Sequence, residues 1–260
     1  MIPHFSRDRT CGLLAGFLLC LWSKPAVAQA SDSGPQAKPG DYVILLHGMG
    51  RSALSMKRIE WTLRNDGFRV INISYPSTCF SIPALADGFL DQLIREHVCD
   101  PKAPVHFVTH SLGGIILRQY LSNHIIENLD RVVMLAPPNQ GSSLVDKLKP
   151  WWIYRLLTGP SGQQLGTDQE SIPRHLSRTD FDVGIIAGNH SCNPLFSRWI
   201  TGADDGKVAV QETRLDGMHD FLVLHHSHTW LPWRNDCIVA IRNFLRDGHF
   251  AFFHPATPPS

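Results

Sequence analysis

Val105-His106-Phe107-Val108-Thr109-His110-Ser111-Leu112-Gly113-Gly114, running on into Ile115-Ile116-Leu117-Arg118-Gln119-Tyr120-Leu121, is the stretch whose reading decides the fold. Residues 105–108 form a short apolar run that reads as a buried strand, and residues 115–121 carry a helical pattern. Between the two stands a serine, with glycines two and three residues after it. A strand that becomes a helix within so few residues must turn sharply. That turn lifts the serine hydroxyl above the sheet edge, at a helix start that favours nearby negative charge. Ser111 is therefore the first candidate nucleophile.

Working outward, strand and helix patterns alternate. Asp41-Tyr42-Val43-Ile44-Leu45-Leu46 is a continuous apolar run and predicts a buried strand. Residues 52–65 have helical spacing and stop at Gly67. Further strands are expected at 68–75, 131–136, 181–187 and 220–224, and helices at 82–98 and 237–245. Strands alternating with helices imply right-handed crossovers and a mostly parallel sheet of about six strands, an α/β fold. Ligands on such a sheet bind beyond the carboxyl ends of the strands. The residues that draw attention fall at those ends.

A serine hydroxyl is a weak nucleophile at neutral pH and needs an imidazole base and a carboxylate to orient that base. Histidines cluster after the last strand at His225, His226 and His228, with His219 before it. Three histidines in four positions also suit a metal, but no carboxylate or thiolate pattern completes such a site, so no metal or cofactor is expected. Acids stand at Asp204 and Asp205, before Gly206, where an ordinary Asp-Gly turn is the bland alternative. His47-Gly48-Met49 follows the first strand, and Gly48 lets the backbone approach a substrate closely.

These elements, in this order, resemble the α/β-hydrolase family, in its bacterial lipase and esterase branch, a grouping that includes lipid-deacylating relatives. The resemblance runs from Val43 to Phe250. It puts Ser111 at the nucleophile of a G-x-S-x-G elbow, with one departure: Thr109 stands where the first glycine belongs. The family's acid directly before glycine implies Asp205, with Asp204 as its neighbour. The strand-end loop Ser227-His228-Thr229 implies His228 as base, with His226 as runner-up. The oxyanion donors implied are the N–H groups of Met49 and Leu112, and His47 and Gly48 border the substrate.

Residues 139–179 form an insertion of about forty residues, a length that often marks a cap or binding element. Val145, Leu148, Trp151, Trp152, Leu156 and Leu157 give it an apolar helical stripe interrupted by Pro150. Trp151 and Trp152 could wall an acyl site, face a lipid surface transiently, or simply pack the cap onto the sheet. Phe250, Phe252 and Phe253 are expected to fold back on the domain.

The first thirty residues read as a secretory signal. Arg7 and Arg9 precede an apolar or small run over 12–22, and Ala26-Val27-Ala28 and Ala28-Gln29-Ala30 offer cleavage sites. About eleven apolar residues are too few to span a bilayer. An uncleaved anchor is the alternative, and Leu19 before Cys20 disfavours a lipoprotein. Residues 31–40 read as a linker, which leaves a hydrolase domain over 41–260 and a periplasmic or extracellular destination. Of the cysteines beyond the signal, Cys79 and Cys192 could pair or remain two buried thiols, whereas Cys79–Cys99 would have to cross the sheet. The balance of 24 basic and 23 acidic residues gives no reason to expect a nucleic-acid partner.

The expectation is therefore a serine hydrolase of carboxylic esters acting on a small-molecule or lipid substrate. Acyl transfer and thioester or amide cleavage use the same residues, and a non-catalytic lipid-binding protein is the reading from another class. Neither oligomeric state nor chain-length preference is legible.

Overall fold

In this computed structural model the described residues are 40–176 and 179–250. The expected signal over 1–30, nearly all of the linker, and Phe252 and Phe253 lie outside them. Six strands, β1 (Tyr42–Leu46), β2 (Arg69–Asn72), β3 (Val105–His110), β4 (Leu129–Leu135), β5 (Asp182–Gly188) and β6 (Asp220–Leu224), form one sheet in the order β2-β1-β3-β4-β5-β6. Every neighbouring pair is parallel. Helices cover both faces, as a parallel sheet requires.

Side-chain alternation divides the core in two. Val43 and Leu45 of β1 face a layer with Ile59 and Leu63 of α1 (Lys57–Asn65) and, from the end of the chain, Ile241 and Phe244. Ile44 and Leu46 face the other layer, with Leu85, Leu90, Ile115 and Ile116. That layer contains α2 (Ile82–Ala84), a π turn over Leu85–Leu90, α3 (Asp91–His97) and α4 (Leu112–Asn123). The helix expected over 82–98 thus runs through to His97, its middle widened into a π turn.

Strand β2 stops at Asn72, short of the expected Tyr75. Tyr75 leaves the ladder because its N–H is taken by the His47 ring at 3.2 Å. The insertion contains α5 (Ser143–Leu148), α6 (Trp152–Gln163) and α7 (Ile172–His175), with Pro150 between the first two. Next come α8 (Pro194–Ser197) and the closing α9 (Asn235–Asp247), which ends on left-handed Gly248 (φ 79°). Phe250 folds back under it, buried, with its ring 5.0 Å from Phe244.

The cysteine expectation needs correcting. Cys192 is exposed and unbridged, so no Cys79–Cys192 disulfide forms, and Cys79 is exposed where a buried thiol was the alternative. Both sit in surface loops past the strand ends, out of the core's reach. Cys237, on α9, is the buried thiol.

Candidate active site

Ser111 sits between the last residue of β3 and the first of α4, half-buried, with φ 54° and ψ −121°. A residue with a Cβ rarely adopts this conformation, and holding it costs on the order of 1–3 kcal/mol. What holds it is close packing on either side. The Ser111 N–H donates to Leu135 O at 2.9 Å. A Cβ on Gly113 would lie 2.5 Å from Leu46 O and 2.9 Å from Leu46 Cβ. That glycine lets α4 descend onto β1. Thr109, the departure from the family pattern, is fully buried in β3, opposite Leu46 and Met134. Its hydroxyl would lie 3.2 Å from a Cβ on Gly114, so the second glycine makes room for it.

The turn after β1 packs on the elbow. His47 is fully buried, and both ring nitrogens are used inside the protein. Nδ1 donates to Gly48 O at 2.9 Å, Nε2 accepts the Tyr75 N–H, and the ring stacks on Tyr75 at 4.0 Å. The Tyr75 hydroxyl donates to His47 O. Burial brings the His47 pKa down to about 4, so the ring is neutral, as its two bonds require. His47 therefore shapes the turn from beneath and has no free atom for a substrate. Gly48 gives clearance toward the elbow: a Cβ there would lie 3.0 Å from His110 Nδ1 and 3.3 Å from Ser111 Cβ. The N–H groups of Met49 and Leu112, on the two facing turns, donate to no acceptor among the described residues.

Strands β5 and β6 end side by side, Gly188 opposite Leu224. Gly188 has no Cβ because one would strike His226 O and lie 2.9 Å from Asp205 Cβ. The acid and histidine loops cross at that point. His228 Nδ1 lies 2.7 Å from Asp205 Oδ2, both residues buried. Asp205 Oδ1 accepts the Lys207 and Val208 N–H groups at 3.0 and 2.9 Å, and the His228 N–H donates to Asp205 O at 3.0 Å. With the carboxylate accepting at Nδ1, the proton belongs on that nitrogen and Nε2 keeps its lone pair. Asp204 is employed otherwise, accepting from the Gly206 N–H at 2.7 Å and the Ser197 hydroxyl at 2.8 Å. His226 Nε2 meets the Asp236 carboxylate at 2.7 and 2.8 Å, and His225 meets Asn189.

One residue of the site escaped sequence reasoning. His110, inside the elbow motif itself, is buried and donates from Nε2 to His228 O at 3.0 Å, with the two rings 4.9 Å apart. Burial above all, then the charges of His228 and Lys207, holds its pKa well below the usual imidazole value. A neutral His110 thus ties the histidine loop to the elbow. Its position in the motif was visible, but nothing in the sequence shows that its ring points at a loop 118 residues on.

Trp151 and Trp152 do not pack the cap onto the sheet. They are 58% and 70% exposed, and Ile153, Leu156 and Leu157 extend the exposed apolar surface along α6. The second half of α6 is anchored. The chain kinks at Gly159 (φ 61°), followed by Pro160, and a Cβ at Gly159 would strike Thr78 O. Beyond the kink, the Ser161 hydroxyl donates to Ser77 O at 2.5 Å, and a Cβ on Gly162 would come 3.1 Å from Met49 Sδ.

The comparisons agree with this architecture. The lysosomal thioesterase PPT2 of Homo sapiens is 27% identical over 248 residues, covering 80% of this chain and 76% of that protein. The PPT2 of Rattus norvegicus is 26% identical, covering 72% of each. Among solved structures, the mature lipase BlEst2 of Bacillus licheniformis superposes with a TM-score of 0.59 at 17% identity, covering 82% of this chain and 93% of that one. The metagenomic carboxyl esterase MGS0156 gives 0.59 at 16%, covering 78% and 71%. The sequence profile of the alpha/beta hydrolase family matches residues 43–257. With a six-stranded parallel sheet and a strand–serine–helix turn at its centre, this chain belongs to the alpha/beta hydrolase family.

Proposed function

We propose that this chain is a serine hydrolase that cleaves carboxylic esters through an acyl-enzyme. The observation that carries the reading is the buried 2.7 Å contact between His228 and Asp205, on loops tied through His110 to the elbow that bears Ser111. Ser111 Oγ attacks the acyl carbon and passes its proton to His228 Nε2. Asp205 holds the imidazole in the required tautomer and stabilises the imidazolium. The Met49 and Leu112 N–H groups receive the oxyanion, a contribution of about 10²–10³ in rate per donor in comparable enzymes. His228 then protonates the leaving group, and water releases the acyl chain by the same steps in reverse order. The exposed side of α6, with Trp151 and Trp152, meets the acyl chain or a lipid surface. Export through residues 1–30 belongs to the same proposal.

Thioester cleavage is the second reading, favoured by the relatives named as thioesterases at 24–27% identity. The same oxyanion geometry serves both leaving atoms. The test is hydrolysis of p-nitrophenyl esters from acetyl to palmitoyl, with matched thioesters, by wild type and Ser111→Ala. Ester turnover that vanishes in Ser111→Ala supports the proposal. Turnover of thioesters alone selects the second reading. Folded wild type that cleaves neither, and whose Ser111 no phosphonate labels, refutes both.

A further inference from the structure

A second exposed apolar surface, outside the cap, stands beside the catalytic loops. Leu54, Trp61, Trp230 and Trp233 are 71%, 66%, 51% and 38% exposed. Leu54 lies in the 3₁₀ turn Ala53–Met56, which leads from the turn after β1 into α1, and Trp61 lies on α1 itself. Trp233 ends the 3₁₀ turn Leu231–Trp233, and Trp230 directly precedes it, two residues past His228. The two 3₁₀ turns pack on each other, and α1 packs on the second. Arg58 fastens them together. It stands four residues after Leu54 and three before Trp61, on their side of the helix, and its guanidinium donates to Trp233 O and Asn235 Oδ1. Arg51 makes a second tie, donating to Thr229 Oγ1 at 3.0 Å.

These side chains do not belong to a loop that has failed to pack. Leu231 is fully buried, in one core layer with Met56 and Ile59, so its turn is held from beneath while the tryptophans flanking it stay in solvent. Among the described residues none of the three indole N–H groups donates to a protein acceptor. The charge around them has one sign. No acid stands between Asp41 and Glu60, or between Asp220 and Asp236, although the chain as a whole balances 24 basic residues against 23 acidic ones. Glu60 is buried on Asn72, Lys57 and Arg64, and Asp236 is held by His226. Arg51 and Arg234 are exposed, and among the described residues neither pairs with a carboxylate.

Tryptophan favours the boundary between water and an apolar phase, where its ring is buried and its N–H stays wet. Arginines beside such rings are drawn to anionic headgroups, and apolar contact combined with basic charge is what holds a protein on a bilayer. We propose that Leu54, Trp61, Trp230 and Trp233 seat the protein on a bilayer that carries anionic lipid, with Arg51 and Arg234 against its headgroups. The choice of a lipid surface over a protein partner rests on the hydrolase reading. A protein seated two residues from Met49 and from His228 would obstruct the site, whereas a membrane would supply it with acyl substrate. Binding is measured without turnover, so its failure would leave that reading untouched.

The test is co-sedimentation of the full chain with vesicles of phosphatidylcholine alone and of phosphatidylcholine mixed with phosphatidylglycerol. Wild type should bind the mixed vesicles about tenfold or more tightly than the neutral ones, and added salt should weaken that binding. The double variant Leu54→Gln/Trp61→Gln should lose about tenfold or more in partition. Arg51→Gln and Arg234→Gln should each lose about fivefold, on the anionic vesicles alone. All four changes fall on exposed side chains, so Tm should hold and lost binding is not lost folding. On α6, Trp151→Gln/Trp152→Gln is the comparison. No binding to either vesicle, or equal binding to both, would overturn the proposal. So would binding that survives the first set of variants and disappears in the α6 pair. A dimer in sedimentation velocity that Trp61→Gln dissociates would overturn it as well, since a second copy would then occupy the surface.

Discussion

Acid should loosen the turn beneath Met49, and His47 is the reason. The folded ring is neutral because it is fully buried between Gly48 O and the Tyr75 N–H, with its pKa lowered from 6.5 to about 4. The unfolded chain binds a proton there below about pH 6.5, so unfolding takes up a proton across the window from 6.5 to 4. The contribution is fully present above pH 6.5 and is lost as pH falls toward 4. A change from 6.5 to about 4 corresponds to about 3 kcal/mol, a large share of the 5–15 kcal/mol by which a domain is typically stable. Urea unfolding of wild type and His47→Gln from pH 7 to 4 measures it. Glutamine offers one donor and one acceptor but has no charge to gain. Other titrating groups, His110 included, act in both proteins and cancel. The stability gap between the two proteins should close by about 3 kcal/mol as pH falls. A gap that stays constant across the window would refute the assignment of His47 as a buried neutral ring.

Ser111→Gly should abolish ester turnover and yet raise Tm by roughly 2–4 °C, because glycine accepts the backbone that serine is forced into, less its own entropy cost; a lowered Tm would mean that the elbow is not strained. His228→Ala should lower kcat by at least about 10³-fold with folding intact, whereas His226→Ala should weaken the α9 junction through Asp236 and spare turnover. The reverse pattern in steady-state kinetics would exchange their roles. Gly113→Ala should cost about 3 kcal/mol by driving a methyl into Leu46 O, read as a Tm drop of roughly 5–10 °C; an unchanged Tm would show that α4 can back away from β1.

What could be read in the sequence was what local pattern encodes. The continuous apolar runs at β1 and β3 are buried on both faces, and such burial leaves no polar positions to blur the signal. The elbow was legible because its glycines are steric necessities, as the Leu46 clearance shows at Gly113. Asp205 and His228 were chosen over Asp204 and His226 by resemblance, and each rejected neighbour has a different partner in the structure: Ser197 for Asp204 and Asp236 for His226. The end of β2 was not legible, because the bond that ends it comes from a histidine 28 residues earlier in the chain. Nor were the roles of His110 and Gly188, which arise only where loops from separate strands meet. Thr109 looked like a misfit until Gly114 was seen to give way.

The kink at Gly159 divides the cap into parts with different evolutionary freedom. Residues 161–164 lean on Ser77, Ile82 and Met49, so a change there is transmitted to the turn after β1. Residues 152–158 mostly face outward and touch little else. A substitution in the outer half of α6 can therefore trade tryptophan for another surface without reaching the turn after β1, whereas one in the inner half disturbs that turn. Between close descendants of this chain, sequence divergence in the cap should begin abruptly on the amino-terminal side of Gly159.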